Sequence, residues 1–161
     1  MSDNTALRNH LLYLLGGGGA HASSESAVAN FPPKLRGRRV RGVPYTAWQL
    51  VEHLRIAQGD ILEFSRNAKH VSPEFPEGYW PSGDAPPNAS AWNRSLSAFR
   101  ADLAAMMRLV QNPASDLFTP FPQGQGQTLL REALLVADHN AYHVGQIVML
   151  RRLLGAWKSD Q

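Results

Sequence analysis

The 161-residue sequence contains no cysteine. This absence excludes a disulfide scaffold, a cysteine nucleophile, an iron–sulfur cluster and a zinc site with thiolate ligands. No apolar stretch approaches the ~20 residues that a membrane-spanning helix needs, so we expect no membrane partner. The charge is nearly balanced, with 16 basic and 13 acidic residues and a net charge of +3. A surplus this small gives little reason to expect a nucleic-acid partner.

Several sequence signatures are also missing. Gly16 to Gly19 do not lead into the Gly-Lys-Ser/Thr of a phosphate-binding loop, and no dinucleotide fingerprint or nucleophile elbow is present. The run Leu11–Leu15 followed by Ala20-His21-Ala22 is similar to a short secretory leader, but the glycines interrupt it and its leucines share one helical stripe. We therefore interpret residues 3–15 as a first helix and expect a cytoplasmic protein.

Helical periodicity is the main signal that the sequence does contain. Apolar side chains recur at three- and four-residue steps, which is the spacing of an amphipathic helix. The predicted helices cover residues 3–15, 46–68, 89–110 and 128–154, with a shorter one from Ser23 or Ser24 to Ala29. Proline- and glycine-rich segments connect them, and we find no strand alternation. The pattern predicts one all-α domain over residues 1–161, a four-helix bundle with long crossover connections.

The last predicted helix carries His139 and His143, four residues apart. This spacing places both imidazoles on one face, where their nitrogens can converge on a single cation. His53, beside the apolar stripe of the second long helix, is the strongest candidate for a third ligand. Three imidazoles from two helices would leave one side of the metal open, as in catalytic sites. Imidazole ligands suit zinc, nickel or ferrous iron, and the spacing does not choose among them.

The histidine pair also has a simpler interpretation. Two histidines four apart occur by chance on many helices, where each ring is a hydrogen-bonded core or rim residue. Asn140 follows His139 at the position where zinc metallopeptidases carry their glutamate base, so a peptidase is disfavoured.

Three further residues are candidates for acid or base chemistry. Glu132 lies seven residues before His139, and Asp60 lies seven residues after His53, so each shares nearly the same helix face as a histidine. For Glu132 we favour a solvated carboxylate at the helix start, and Asp60 has the same two interpretations. For Tyr142 we favour a packing role over proton donation.

Other residues are expected to support or enclose the site. Asp138 and Asn140 flank His139 and are candidates to orient an imidazole through its outer N–H. The Gln146 amide is a candidate to bond a water at the site or to be satisfied locally. The candidates for the pocket are Tyr79, Trp80 and His21. Each of these three has a plainer alternative, a loop anchor for the two aromatic residues and an exposed loop position for His21.

Two segments resemble the DinB-like superfamily. Residues 129–146 (LLREALLVADHNAYHVGQ) are similar to its last helix, and residues 48–54 (WQLVEHL) to its second-helix histidine signature. Residues 79–81 and 124–130 are similar to a branch of uncharacterised members. The resemblance implies a four-helix bundle that holds a divalent metal through His53, His139 and His143. Tyr142 stands where many relatives carry another histidine, which changes the rim of the site.

The resemblance also implies a function. The superfamily includes thiol-dependent isomerases and S-transferases that use low-molecular-weight thiols. We therefore expect a metal-dependent hydrolase or thiol S-transferase acting on a small molecule, with zinc or nickel as the first candidates and iron as another. A homodimer is expected because relatives commonly pair. The alternative is a non-catalytic bundle that binds a divalent metal or senses a stress ligand.

Overall fold

A computed structural model describes residues 4–157, in which all regular secondary structure is helical. Its helices are α1 (Thr5–Leu15), α2 (Ser24–Val28), α3 (Ala47–Arg66), α4 (Ala91–Gln111) and α5 (Leu129–Leu153). Short 3₁₀ turns lie at Pro33–Leu35 and Glu77–Tyr79. Residues 4–157 contain no strand, which confirms the all-α prediction. No helix in this range is long and apolar enough to cross a bilayer.

The helices begin where the sequence supplies side-chain caps. Thr46 accepts the backbone N–H of Gln49 at 3.2 Å, and the Gln49 side chain accepts the N–H of Thr46 at 3.0 Å. This reciprocal pair is a capping box and starts α3 at the predicted position. Ser23 and Thr128 cap α2 and α5 in the same way with one bond each. The ends deviate more: α3 stops at Arg66 rather than residue 68, and α1 begins at Thr5, while predicted residue 3 lies outside the described range.

Four of the helices form the bundle, and α2 is added to its side. Helix α3 packs against both α4 and α5, and α1 lies against α4 and α5. Helix α2 packs on α5, where the Arg151 guanidinium donates to the carbonyls of Ser26, Ala27 and Ala29. These bonds satisfy carbonyls that the short helix leaves unpaired at its end.

The apolar core has two parts with a polar layer between them. One part, the tryptophan cluster, surrounds Trp48 and Trp92; the other, the methionine cluster, surrounds Met106. Along α5, residues 129–136 contribute to the methionine cluster and residues 144–150 to the tryptophan cluster. The residues of α3 and α5 that separate the clusters, which we call the polar layer, are His53, Gln58, His139, Asn140 and His143.

Candidate metal centre

The three predicted histidines meet in the polar layer between α3 and α5. Nε2 of His53 lies 3.0 Å from Nε2 of His139 and 3.1 Å from Nε2 of His143. One nitrogen from each ring lies within 4.8 Å of the other two. The sequence pattern therefore predicted correctly that these side chains come together.

Packing of the helices explains why the rings point inward. His53 is buried between Leu50 and Leu54, the apolar residues that bring α3 against its neighbours. His139 and His143 are one helical turn apart on α5, so both face α3. His53 and His143 are 7% and 6% exposed, whereas His139 is only half-buried. His139 is thus the most exposed of the three residues.

Hydrogen bonds to the outer ring nitrogens fix two of the tautomers. His53 Nδ1 lies 2.9 Å from the Tyr79 carbonyl oxygen, and His143 Nδ1 lies 2.7 Å from Gln146 Oε1. Both partners are acceptors, so each Nδ1 carries the proton and donates. Each Nε2 then presents a lone pair to the centre of the cluster. Two lone pairs therefore face each other 3.1 Å apart.

This arrangement fits a divalent cation. Nitrogen ligands about 2.1 Å from a common ion lie about 3.0 to 3.4 Å apart, which matches the separations of His53 Nε2 from the Nε2 atoms of His139 and His143. A cation also converts the repulsion between facing lone pairs into attraction. Among residues 4–157, the group that can hold the ion consists of three imidazoles and contains no carboxylate. The cluster is compatible with a divalent metal, and its all-nitrogen composition suits transition metals.

The electrostatics keep the imidazoles neutral and able to bind metal. Burial, together with the neighbouring His143 and His53, lowers the pKa of His139 to about 4. Burial also lowers the pKa of His53, partly opposed by its bond to the Tyr79 carbonyl. The pKa of His143 is lowered by burial as well, against the effect of the Gln146 bond. At neutral pH the three rings are therefore uncharged, and Nε2 of His53 and Nε2 of His143 hold no proton.

Aromatic side chains cover the His53 side of the cluster. The Trp80 ring stacks on the His53 imidazole, with centroids 3.9 Å apart and planes 1° apart. The Tyr45 ring stacks on Trp80 with centroids 4.1 Å apart. Trp80 was predicted as a pocket residue, whereas Tyr45 was missed. The only available signal was its position one residue before the Thr46 cap, which does not specify a stacking partner.

The loop that carries Trp80 is tied to α3 through Asp60. Tyr79 donates its hydroxyl to Asp60 Oδ2 at 2.6 Å, and His70 Nε2 lies 2.6 Å from Asp60 Oδ1. Burial, with the Asp60 bond, raises the pKa of Tyr79 to about 12. Both carboxylate oxygens of Asp60 are thus occupied in holding the loop. The structure gives Asp60 an anchoring role, and its action as a base stays a prediction.

A second tie holds the far end of the same loop. Arg39 donates to both carboxylate oxygens of Asp84 at 2.6 and 2.5 Å. The Thr46 hydroxyl donates to the Asp84 carbonyl at 2.6 Å. Arg39 and Thr46 therefore attach the end of this loop near the start of α3.

Two of the candidate acid and base residues are placed differently from the prediction. Glu132 is 2% exposed and paired with Arg131 at 2.7 Å, so the prediction of a solvated carboxylate was wrong. It lies two helical turns from His139, about 10 Å along α5. Tyr142 is 64% exposed, with its ring against His143 at a centroid distance of 4.9 Å, so the packing role was wrong too. Tyr142 forms part of the rim.

The residues expected to orient an imidazole also differ. Nδ1 of His139 is buried without a hydrogen-bond partner, so neither Asp138 nor Asn140 orients it. Asp138 is exposed, because the residue preceding His139 points about 100° away around the helix. Asn140 donates instead to Gln58 Oε1 at 2.8 Å. Gln146 bonds His143 directly. Of the two roles predicted for this amide, the structure therefore shows local satisfaction rather than a bond to a water.

His21 lies away from the three imidazoles. It is exposed and faces Ala141, Val144 and Gly145, residues on the side of α5 turned from His143. Of the three predicted pocket residues, Trp80 and Tyr79 contact His53, and His21 belongs to a separate groove.

Comparison with known families agrees with the fold and with the histidine positions. A family model described as the DinB superfamily matches residues 19–147, about four-fifths of the chain. The chain belongs to the DinB superfamily. The DinB match covers all three histidines of the cluster and the loop that carries Trp80. No curated protein and no solved structure matches the chain significantly.

Proposed function

We propose that this DinB-superfamily protein is a metal-dependent enzyme whose cation is held by His53, His139 and His143. One observation supports this most directly: Nε2 of His53 and Nε2 of His143 each carry a lone pair and face each other 3.1 Å apart. Such a contact is unfavourable between two neutral rings and favourable around a cation. Zinc and nickel are the first candidates, and iron is also consistent with imidazole ligands.

The chain's own residues would bind, orient and shield. A divalent cation in this cluster would lower the pKa of a water or thiol on its open side and supply a nucleophile at neutral pH. Tyr79 and Gln146 keep Nε2 of their histidines deprotonated. Trp80 covers one side of His53 and excludes water there. The half-buried His139 and the exposed Tyr142 leave the other side accessible to a small molecule.

Thiol S-transfer fits these residues better than hydrolysis. The two carboxylates considered as bases are Asp60, which anchors the loop, and Glu132, which is paired with Arg131. Hydrolysis usually uses a base to deprotonate water. A thiol, with an ordinary pKa near 8.5, gives up its proton far more readily. We therefore propose a low-molecular-weight thiol as cosubstrate and the cytoplasm, where thiols remain reduced, as the compartment.

Two measurements test this function. The first is the metal content of protein purified without a polyhistidine tag, expected near one divalent ion per chain and lost in His53→Ala and His139→Ala. The second is turnover of a thiol with chloro- or epoxide electrophiles, expected in the wild type and lost in folded His143→Ala. An absence of bound metal would contradict the site itself. Bound metal without turnover of any tested electrophile or ester would instead favour the second candidate below.

The second candidate is a non-catalytic bundle that binds a divalent metal or senses a stress ligand. The burial of His53 and His143 favours it, because an ion that is mostly enclosed is held well but approached poorly. In that case metal binding would change the Trp80 fluorescence, since this ring stacks on a ligand, and no product would form.

We also propose that the protein forms a homodimer through α5. Its exposed side carries Leu134, Tyr142, Met149 and Leu153, which are 44–64% exposed and recur with helical spacing. Apolar side chains grouped in this way are typical of an interaction surface. Light scattering should give twice the 17.8 kDa of one chain. Met149→Lys is expected to shift the mass to that of the monomer, and a monomeric wild type would refute the proposal.

A further inference from the structure

A cavity lies on the side of α5 that is turned away from the imidazoles. It has a volume of about 940 Å³ and runs between α2 and α5. Its floor consists of Ala141, Val144, Gly145 and Val148, which repeat at three- and four-residue steps along one face of the helix. Arg152 continues the same stripe at one end. We call this cavity the α2–α5 groove.

The groove is held open by bonds that do not depend on a ligand. The buried Arg151 donates to three carbonyls of α2 and its end, and to the Ala156 carbonyl at 2.9 Å. Its guanidinium also lies over the Trp157 ring, 5.6 Å from the centroid. These contacts fix both α2 and the segment after α5 relative to the floor. The cavity is therefore preformed.

Its charge is concentrated at one end. The exposed Arg152 lies over the Trp157 ring at 5.8 Å, and no ion pair among residues 4–157 includes it. A planar guanidinium offers a carboxylate two parallel hydrogen bonds. A single guanidinium without an acidic partner among residues 4–157 matches a single negative charge.

The dimensions point to an elongated ligand. Eleven residues separate Ala141 from Arg152, a distance of about 16 Å along the helix axis. His21 lies at the Ala141 end, where it also lines a small neighbouring cavity with Ala137 and Asn140 of α5. Between the two ends the floor is apolar, and a Cβ atom added at Gly145 would meet no atom within 4 Å. The groove thus has a cationic end, an apolar middle and an imidazole at the far end.

We propose that the α2–α5 groove binds an elongated organic monocarboxylate, with its carboxylate on Arg152 and its apolar body along Val148 and Val144. The site is separate from the candidate metal centre, because α5 itself lies between them. Binding therefore requires no metal and does not rest on the proposed enzymatic function.

The test is calorimetric titration of the full-length protein with decanoate, with chelator and again with zinc. We expect saturable binding of one decanoate per chain in both conditions and binding at least about tenfold weaker for 1-decanol, which lacks the charge. Arg152→Gln should weaken decanoate binding about tenfold or more. Gly145→Leu should abolish it by filling the floor, while its helix content is maintained because leucine favours a helix more than glycine does.

Two variants serve as matched controls. Arg108→Gln removes an exposed arginine of α4 and should leave decanoate affinity unchanged. His139→Ala should also leave it unchanged, because that residue faces the other side of α5. The proposal is overturned if decanoate does not bind, if the alcohol binds equally well, or if both arginine variants have the same effect. Binding that requires zinc and disappears in His139→Ala would assign the carboxylate to the metal centre and refute the groove.

Discussion

The polar layer has two halves, which differ in how far their buried polar atoms find hydrogen-bond partners. In the amide half, Gln58 is fully buried, donates to the Phe99 carbonyl at 2.6 Å and accepts from Asn140 at 2.8 Å. In the imidazole half, His53 and His143 direct lone pairs at each other, and Nδ1 of His139 has no partner. A buried polar group stabilises a fold only when its hydrogen bonds are made. In the amide half the Gln58 side chain finds a donor and an acceptor within the protein, and Asn140 Oδ1 alone is buried without a partner. In the imidazole half the facing lone pairs would be satisfied only by a cation.

The largest effect is expected for His143→Ala, which changes the imidazole half and not the amide half. Removing one of three ligands should weaken zinc binding by more than about a hundredfold, beyond the effect of losing a supporting hydrogen bond. The metal-free variant should remain folded, because the change also removes a facing lone pair. Competition with a chromophoric chelator measures the affinity, and circular dichroism measures the fold. Unchanged affinity in a folded variant would exclude His143 as a ligand.

Gln58→Ala tests the amide half. The Phe99 carbonyl and Asn140 would lose their partner in a buried position, which should lower the free energy of unfolding by about 2 to 4 kcal/mol. Zinc affinity of the folded variant should stay within about twofold. Urea denaturation measures the change, with the exposed Gln111→Ala as a control expected to cost less than about 0.5 kcal/mol. If Gln58→Ala lowers zinc affinity together with the free energy of unfolding, the two halves are energetically coupled.

A smaller effect is expected for Gln146→Ala, which removes the acceptor of His143 Nδ1–H. Zinc binding should weaken about tenfold to a hundredfold, because the ring loses both its fixed tautomer and its orientation. Gln146→Glu should restore or exceed the wild-type affinity, since a carboxylate is the stronger acceptor. If both variants bind zinc as the wild type does, the bond has no supporting role.

The smallest effect is expected for the pH dependence of folding stability in the metal-free protein. The folded pKa values of the three imidazoles lie below the ordinary value of 6.5, with His139 at about 4. The unfolded chain therefore binds more protons over this range, so stability is complete above about pH 6.5 and declines as the pH falls towards 4. Denaturation midpoints between pH 8 and 4 should show this slope, and His139→Gln should reduce it. An equal slope in the variant would assign the effect to other groups.

The helices and the convergence of the histidines were predictable because both depend on local spacing. Apolar periodicity predicted the bundle, and the four-residue interval of His139 and His143 predicted two rings on one face. The cap at Thr46 is likewise a local side-chain bond. The prediction of one domain over residues 1–161 stays a prediction, as does the assignment of catalytic residues.

The supporting contacts could not be predicted because they depend on long-range placement. Gln58 meets Asn140 only after α3 and α5 have packed, so Asn140 was assigned to its neighbour His139 instead. The burial of Glu132 was missed for the same reason, since a carboxylate in a first helical turn is more often exposed. The loop was predicted to carry aromatic residues, but its attachment through Asp60 links residues 19 positions apart without a local pattern.

The acceptor that orients His53 is a main-chain carbonyl, that of Tyr79. Every amino acid supplies this atom, so the bond itself makes no demand on the side chain at position 79, whose hydroxyl anchors the loop on Asp60 instead. Side chains of the loop that take no part in its anchoring or in the stack on His53 can therefore vary without changing the direction of the imidazole. The orientation of the His53 imidazole thus constrains the course of the backbone at position 79 rather than the type of residue found there.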